Sequence, residues 1–569
     1  MSINSSRRHF LQGATAAAVA APVGMAQALT IQNESEVKWD NRADVVILGY
    51  GNAGANAAIE AVDAGATAII LEKMNQGGGN VAVSAGGFVV PKNVDDYYTY
   101  LKTLYELSRS EWDEEILRVF CEESKTLPAY FQKLAPEAKI APYGHAGYQN
   151  LPGADSVDKM SLRNVPGKKG GDKFFGVLTR AVEARKVPVL FNTPGRRLVT
   201  QNGTILGVEA VKDGKPYFVR ANKAVIIATG GFQCNPDLMK KYIYGNPMSY
   251  LGSPGHTGDG LLMAQSMGAG LWHMNSVSAP LGVNVPGVKA GIALVVRQPS
   301  FIWVDQDGKR FVNEKKLDYH CSWMAVNVFD AIRHRYPRIP CWMIMDDAYI
   351  KAGPITSSGA SGYAINRENY VWSKDNQKEI ESGVIIKANT LAELAEKLGM
   401  EDPKVLQATV ARWNKDLKEQ GYDTEYGRTL TADPNMKAIF VGRDVKAWSA
   451  PLSETGPYYA MKLVPVLYHT MGGPKHSVKG ECLNAYGEPI PRLFVVGEAA
   501  SIWGLTYQGA CANADAIIFG RIAGREAAKL EREFLEKRYS VSEFTGQSVR
   551  IFSSTPLSGS KPLLAVFGH

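Results

Sequence analysis

Three glycines and one acid carry the most informative spacing in this chain. Gly49, Gly51 and Gly54 lie in the turn Gly49-Tyr50-Gly51-Asn52-Ala53-Gly54, and Glu72 follows at the end of the next apolar run. The first glycine allows a tight turn, the second lets backbone approach a pyrophosphate, and the third lets a helix pack closely on its strand. Asn52 and Ala53 open that helix, whose positive N-terminus suits a phosphate. Glu72 stands where an acid accepts hydrogen bonds from a ribose diol. The chemistry expected is therefore the binding of a dinucleotide.

The elements around these residues agree. Val45 to Leu48 reads as a buried parallel strand, an Ala- and Ile-rich helix follows, and residues 67–71 read as a second strand. Residues 93–135 and 173–186 have helical spacing, whereas 136–172, rich in Gly, Pro and Asp, read as loops near a ligand. Residues 187–191, 197–201 and 204–211 read as short strands, and 224–231 as a buried strand ending in Ala228-Thr229-Gly230-Gly231. From about 236 to 445 the character changes. A helix over 258–270, a hairpin of 301–304 with 308–312, and helices over 320–334, 391–399 and 403–420 are expected. The buried-strand pattern returns at 493–497, and a helix runs from 509 to 526. The fold expected is α/β: a Rossmann-like domain split into 43–235 and 446–540, an inserted α+β capping domain over 236–445, and a tail over 541–569.

With 45% hydrophobic and 21% charged residues over 569 positions, the chain is long enough for two sizeable cores. The net charge of +7 is dispersed in short pairs such as Lys168-Lys169, which speaks against nucleic-acid binding. No CxxC, CxxCH or HExxH occurs, so no metal or haem site is expected, and the six scattered cysteines read as buried free thiols. Arg7-Arg8 ahead of an alanine-rich stretch, with Ala26-Gln27-Ala28 after it, reads as a twin-arginine leader over 1–28. The expectation is export to the periplasm as a folded protein, without a membrane span.

Further glycine-rich segments point to a flavin. Gly77-Gly78-Gly79-Asn80 and Ser84-Ala85-Gly86-Gly87 follow the second strand, and Gly497-Glu498-Ala499-Ala500 closes a late one. A helix starting near Gly509 to Asn513 would aim NH groups at the electron-rich edge of a reduced flavin. With GHTGDGLLMA, GKRFVNE and HTMGG, these segments resemble the FAD enzymes of the fumarate reductase, urocanate reductase and 3-ketosteroid dehydrogenase superfamily over about 43–530. The resemblance implies FAD. Gly49, Gly51, Gly54 and Glu72 would hold its ADP-ribose half, and Lys73, Gly79, Asn80, Ser84, Gly86 and Gly87 would lie near pyrophosphate and isoalloxazine. Asp259 would close the site, Glu498 would meet the ribitol, and Ala514 and Ile517 would flank the flavin. Asp259 also reads as the N-cap of its helix. The histidine that links flavin covalently in quinone-linked succinate enzymes has no counterpart in NVAVSAGG, so FAD would be non-covalent.

The chain departs from fumarate reductases at two arginines. Glu314-Lys315-Lys316-Leu317-Asp318-Tyr319-His320 lacks the expected proton-donor arginine, and Tyr507 stands where a second arginine would precede the C-terminal glycine turn. A phenol cannot replace bidentate carboxylate binding, so a small dicarboxylate is disfavoured. Two tyrosines at these places resemble the ketosteroid dehydrogenase pattern, although Gly509 replaces a serine usual in the Δ4-type enzymes. The resemblance implies hydride transfer between flavin N5 and the β-carbon of an unsaturated carbonyl compound. Tyr319 or His320 would move the α-proton, Tyr507 with a backbone NH near Gly509 would form an oxyanion hole, and His469 would be a further donor. A phenol suits both jobs: it can donate to a developing enolate, and its reference pKa near ~10 can be lowered by neighbours. His256 reads as structural or as an outer-pocket residue, and Tyr143, His145 and Tyr148 as candidate pocket residues. A separate cytochrome or quinone-linked protein would exchange electrons. Two alternatives remain: an acrylate reductase of the urocanate or fumarate type using Lys315, Lys316 or Arg297, and an electron-transfer subunit without an organic substrate.

Overall fold

The computed structural model describes residues 27–532, apart from 169, 246–247, 295, 297, 357–369 and 433–446. The expected leader up to residue 26, the tail over 541–569 and Arg297 lie outside the described residues. No helix among the described residues is long and apolar enough to cross a membrane.

Five parallel strands form the heart of the first sheet, in the order Val189–Leu190, Ala68–Leu71, Asn41–Leu48, Lys215–Ile227 and Pro489–Val495. Val45 to Leu48 and Ala224 to Ile227 pair in register and are wholly shielded from solvent. Such unbroken apolar runs are what a strand covered on both faces requires. The last of the five arrives from the far end of the chain, so the dinucleotide-binding sheet is split in sequence. Antiparallel strands Thr204–Lys212 and Gly195–Gln201 extend it.

One face is covered by the helix Asn52–Asp63 packed along the C-terminal helix Cys511–Lys529. Their axes come close because Gly520 and Gly524 lie against the carbonyls of Ala53 and Ala57, where a Cβ would overlap backbone.

The segment over 136–172 is not all loop. Gly87–Pro91, Val157–Arg163 and Lys139–His145 form a separate antiparallel sheet with Val157–Arg163 in the middle. Its period-2 signal is hidden because two of the buried alternate positions, Lys159 and Ser161, are polar, and Leu162 next to Ser161 is buried as well.

The capping sheet runs Phe301–Val304, Cys341–Asp346, Tyr458–Leu467, Leu281–Val283 and Ile292–Ala293. Its central strand, Tyr458–Leu467, lies beyond residue 446, inside the stretch expected to belong to the second dinucleotide-binding segment. Residues 308–312 form no strand; only an isolated bridge joins Val304 to Arg310. Within 320–334 only Trp323–Val326 is helical, and the helices expected over 258–270 and 509–526 run Asp259–Gln265 and Cys511–Lys529. A buried charge cluster anchors the cap: Glu314 meets Arg310 at 2.8 Å and Arg428 at 3.2 Å, and Arg310 meets Asp423 at 2.6 Å. Burial opposes ionisation of Glu314, but the two guanidiniums hold its carboxyl below the usual range. Glu314 also accepts the Trp303 amide at 2.8 Å, which fixes the start of the segment leading to Tyr319. The six cysteines are free, and all but Cys234 are buried.

Candidate active site

A cleft of about 360 Å³ runs between the parallel sheet, the small antiparallel sheet and the cap. At one end, Glu72 is fixed by two backbone donors, the amides of Tyr50 at 2.7 Å and Met74 at 2.7 Å. Burial raises its pKa and these amides oppose the rise, so the carboxylate shapes the turn as well as offering lone pairs to a ligand. Lys73 Nζ bridges Asp259 Oδ2 at 2.8 Å and Thr257 Oγ1 at 2.5 Å. Asp259 is the first helical residue and Gly258 the N-cap, so the carboxylate is committed to this bridge and not to capping.

Midway, Asn80 and Glu498 tie three segments together. Asn80 Nδ2 donates to Glu498 Oε2 at 2.7 Å, and Asn80 Oδ1 accepts the Ser253 amide at 2.7 Å. His256 Nδ1 lies 3.1 Å from Glu498 Oε1. Burial works against the Glu498 charge, yet His256, His469 and Asn80 hold its carboxyl below the ordinary range. His256, read from sequence as structural or as an outer-pocket residue, lines the cleft itself.

At the far end five aromatic polar groups converge: Tyr319, Tyr468, His320, His469 and Tyr507. Tyr319 and Tyr468 share a hydroxyl–hydroxyl hydrogen bond of 3.0 Å. The rings of His320 and His469 both stand edge-on to Tyr507, at 5.3 Å and 5.4 Å. The Tyr507 hydroxyl accepts the Ala512 amide at 3.0 Å, at the first turn of the C-terminal helix. That leaves the phenol proton as the outward donor. Burial raises its pKa well above the ordinary value, so Tyr507 stays protonated. His469 is pulled down by burial, with the Glu498 charge opposing, and is neutral at pH 7. A Cβ at Gly509 would overlap the His320 imidazole, so the glycine is what makes room for this histidine. Asp318, almost buried, accepts the His320 amide at 2.9 Å and lies 3.5 Å from its Nδ1.

The cleft gathers nearly all the residues singled out from sequence, including Gly49, Gly51, Asn52, Ala53, Gly79, Ser84, Gly87, Ala228, Thr229, Gly230 and Gly509. Four of the expected flavin-site residues do not line it. Gly54 packs beneath Gly49, Gly86 backs onto Gly170, and Ala514 and Ile517 point into the core with no exposed surface. Ala512, Asn513 and Ala516 take the flanking place, since a helix entering the cleft end-on presents its first turn. Tyr143 lines the cleft, whereas His145 turns to Asp158 at 3.6 Å and Tyr148 packs in the core. Lys315 and Lys316 do not reach the cleft; Lys315 lies over the Phe301 ring. Among the described residues no arginine lines it, and its only lysines are Lys73 and Lys159. Sequence reasoning missed Lys159 and Tyr468. Tyr468 had one signal, its place directly before His469.

The cradle fits a flavin dinucleotide. An acid and a Lys–Asp bridge stand at one end. Gly51 in the middle is so open that a Cβ there would meet nothing nearer than 4.0 Å, and a helix N-terminus closes the other end. The family model for the FAD binding domain matches residues 44–513. The chain belongs to this family, and FAD is its cofactor. It is 28% identical to an NADH:fumarate oxidoreductase of Klebsiella pneumoniae over 86% of its own length, and spans about half (48%) of that relative. It is also 28% identical to a 3-oxosteroid 1-dehydrogenase of Mycolicibacterium smegmatis, over 85% of this chain and 97% of that one. A solved 3-ketosteroid delta1-dehydrogenase from Sterolibacterium denitrificans shares the fold, with a TM-score of 0.73 at 22% identity over 86% of this chain and 99% of the other.

Proposed function

We propose that this protein is an FAD-dependent oxidoreductase acting on the carbon–carbon bond next to a carbonyl group, in the manner of a ketosteroid dehydrogenase or an enone reductase. The observation that carries this reading is the Tyr319–Tyr468–Tyr507 cluster, with His320 and His469, in a cleft whose described lining holds no arginine. Bound FAD, held non-covalently by the glycine turns, Glu72, Asn80 and Glu498, supplies or accepts the hydride. Tyr507 donates to the carbonyl oxygen, because its own oxygen is satisfied by Ala512 and burial keeps its proton on. With its single proton on Nε2, and Nδ1 3.4 Å from the Thr470 carbonyl left bare, neutral His469 offers a second donor to that oxygen. Tyr319, coupled to Tyr468 through the shared hydrogen bond, exchanges the proton at the α-carbon, with His320 beside it. Two donors on one oxygen stabilise the enolate that forms as that proton moves. The enzyme works after twin-arginine export and exchanges electrons with a separate cytochrome or quinone-linked protein.

Reducing the bound flavin anaerobically and following its reoxidation tests the reading. A 4-ene-3-ketosteroid or a simple cyclic enone is expected to reoxidise it, and fumarate is not. Reoxidation by fumarate and urocanate alone would overturn it in favour of an acrylate reductase.

A further inference from the structure

Asp318 is a carboxylate buried beside the reacting groups, with one neighbour able to answer its charge. Its side chain is 3% exposed. Oδ1 accepts the His320 amide at 2.9 Å and stands 3.5 Å from His320 Nδ1. Oδ2 rests on the backbone of Gly147, where a Cβ would come within 2.4 Å of it. Among the described residues, no lysine or arginine lies within ion-pair distance of this carboxylate, and the His320 imidazole does. A buried charge left alone is costly, so the contact with the ring matters to both groups.

The two nitrogens of His320 differ. Nδ1 is sealed from solvent, makes no closer hydrogen bond and faces Asp318. The ring lines the cleft, so Nε2 is the nitrogen within reach of the reacting groups. The ring is pinned in this pose. A Cβ at Gly509 would overlap it, and Tyr507 and Tyr319 stand edge-on at 5.3 Å and 5.6 Å. The proton of a neutral imidazole sits on the nitrogen whose neighbour accepts it, and a carboxylate at Nδ1 leaves Nε2 bare.

We propose that Asp318 is a positioning residue that holds one proton on His320 Nδ1, so that His320 Nε2 is the atom that gives up and takes back the proton handled by Tyr319 at the substrate's α-carbon. This rests on the reading of the site given above. A neutral phenol can only pass a proton along at neutral pH, whereas an imidazole can store one. In reduction, a hydride from FAD forms the β C–H bond. The electron pair of the C=C bond forms the α C–H bond with a proton passed from Nε2 by way of the Tyr319 hydroxyl. The neutral imidazole left behind keeps its other proton on Nδ1 against Asp318, and dehydrogenation runs the same steps backwards. The other titratable groups around His320 are Tyr468 and His469 from the cap and Tyr507 ahead of the C-terminal helix. Lys159, on the small antiparallel sheet, feels the same Asp318 charge.

The test compares reduction of a cyclic enone by holoenzyme with Asp318→Asn, which keeps the shape and removes the charge, and with His320→Gln, singly and together. Asp318→Asn is expected to lower kcat tenfold or more while KM changes less than about threefold. Without its counter-charge the imidazolium loses its proton at lower pH, so the alkaline limb of the pH profile is expected to move to lower pH. The double variant is expected to be no slower than His320→Gln, because Asp318 then has nothing to orient. Additive losses or an unmoved limb would overturn the proposal and leave Asp318 to the fold. The second measurement, 15N NMR of the oxidised holoenzyme, needs no turnover, and the signal missing in His320→Gln assigns the ring. At a pH where the ring is neutral, wild type is expected to carry the proton on Nδ1 and Asp318→Asn to shift it toward Nε2. The same tautomer in both proteins would overturn the proposal. A wild type that reduces no enone, with the tautomer still shifting on substitution, would remove the reading of the reaction and uphold the positioning role.

Discussion

At the scale of single residues, the site works through groups held in one protonation state. Tyr507 is a donor because burial denies it ionisation, so Tyr507→Phe is expected to lower the rate of flavin reoxidation by about 10²–10³-fold while flavin content stays unchanged. Lys159 is the opposite case, a cation whose amine titrates near pH 8. The glycine turn and Glu72 were legible as a turn and its acid because backbone geometry leaves a mark in spacing, whereas Glu498 was reached only through the family resemblance. Lys159 was not legible, because a strand whose buried face is polar looks like a loop. Ala514 and Ile517 were placed at the flavin by the same resemblance, which does not show the angle at which this helix enters the cleft.

At the scale of elements, the contact between Asn52–Asp63 and Cys511–Lys529 joins two ends of the chain. Gly524→Val would force side-chain atoms into the Ala57 carbonyl and is expected to cost about 1–3 kcal/mol, measured by denaturant unfolding, with lower FAD occupancy. The same helix carries Asp515, 1% exposed, whose carboxyl burial raises to about 8. An acid raised in the folded state contributes stability below its unfolded pKa, and that contribution is lost as pH rises through the folded value. Asp515→Asn, which stays neutral, is therefore expected to melt above wild type by about 2 °C or more at pH 8.5 and near it at pH 4.5. The parallel strands and long helices were readable from apolar runs and 3.6-residue spacing. The hairpin at 308–312 was not realised because Arg310 is drawn inward to Glu314 and Asp423, a tertiary demand that outweighs local strand propensity.

At the scale of the molecule, the alternation of two architectures along the chain was visible as a change of character near residue 236, but the return was placed too early. Tyr458–Leu467 is apolar in nearly every position, which fits a strand of either sheet, and only its partners assign it to the cap. Replacing residues 236–445 with a short linker would leave that strand with both edges bare. Such a variant is expected to be insoluble or free of flavin, checked by fractionation and absorbance near 450 nm, whereas a linker spanning two independent domains would spare the flavin.

The wall of the FAD cleft formed by Glu498, Tyr507, Ala512, Asn513 and Ala516 is made by some of the last described residues of the chain. A ribosome that has delivered the glycine turn at residue 49 still has most of the polypeptide to make before the cradle has its second half. The cofactor therefore meets a complete cradle only once residue 516 has been made, and a nascent chain stalled before residue 498 holds half a site.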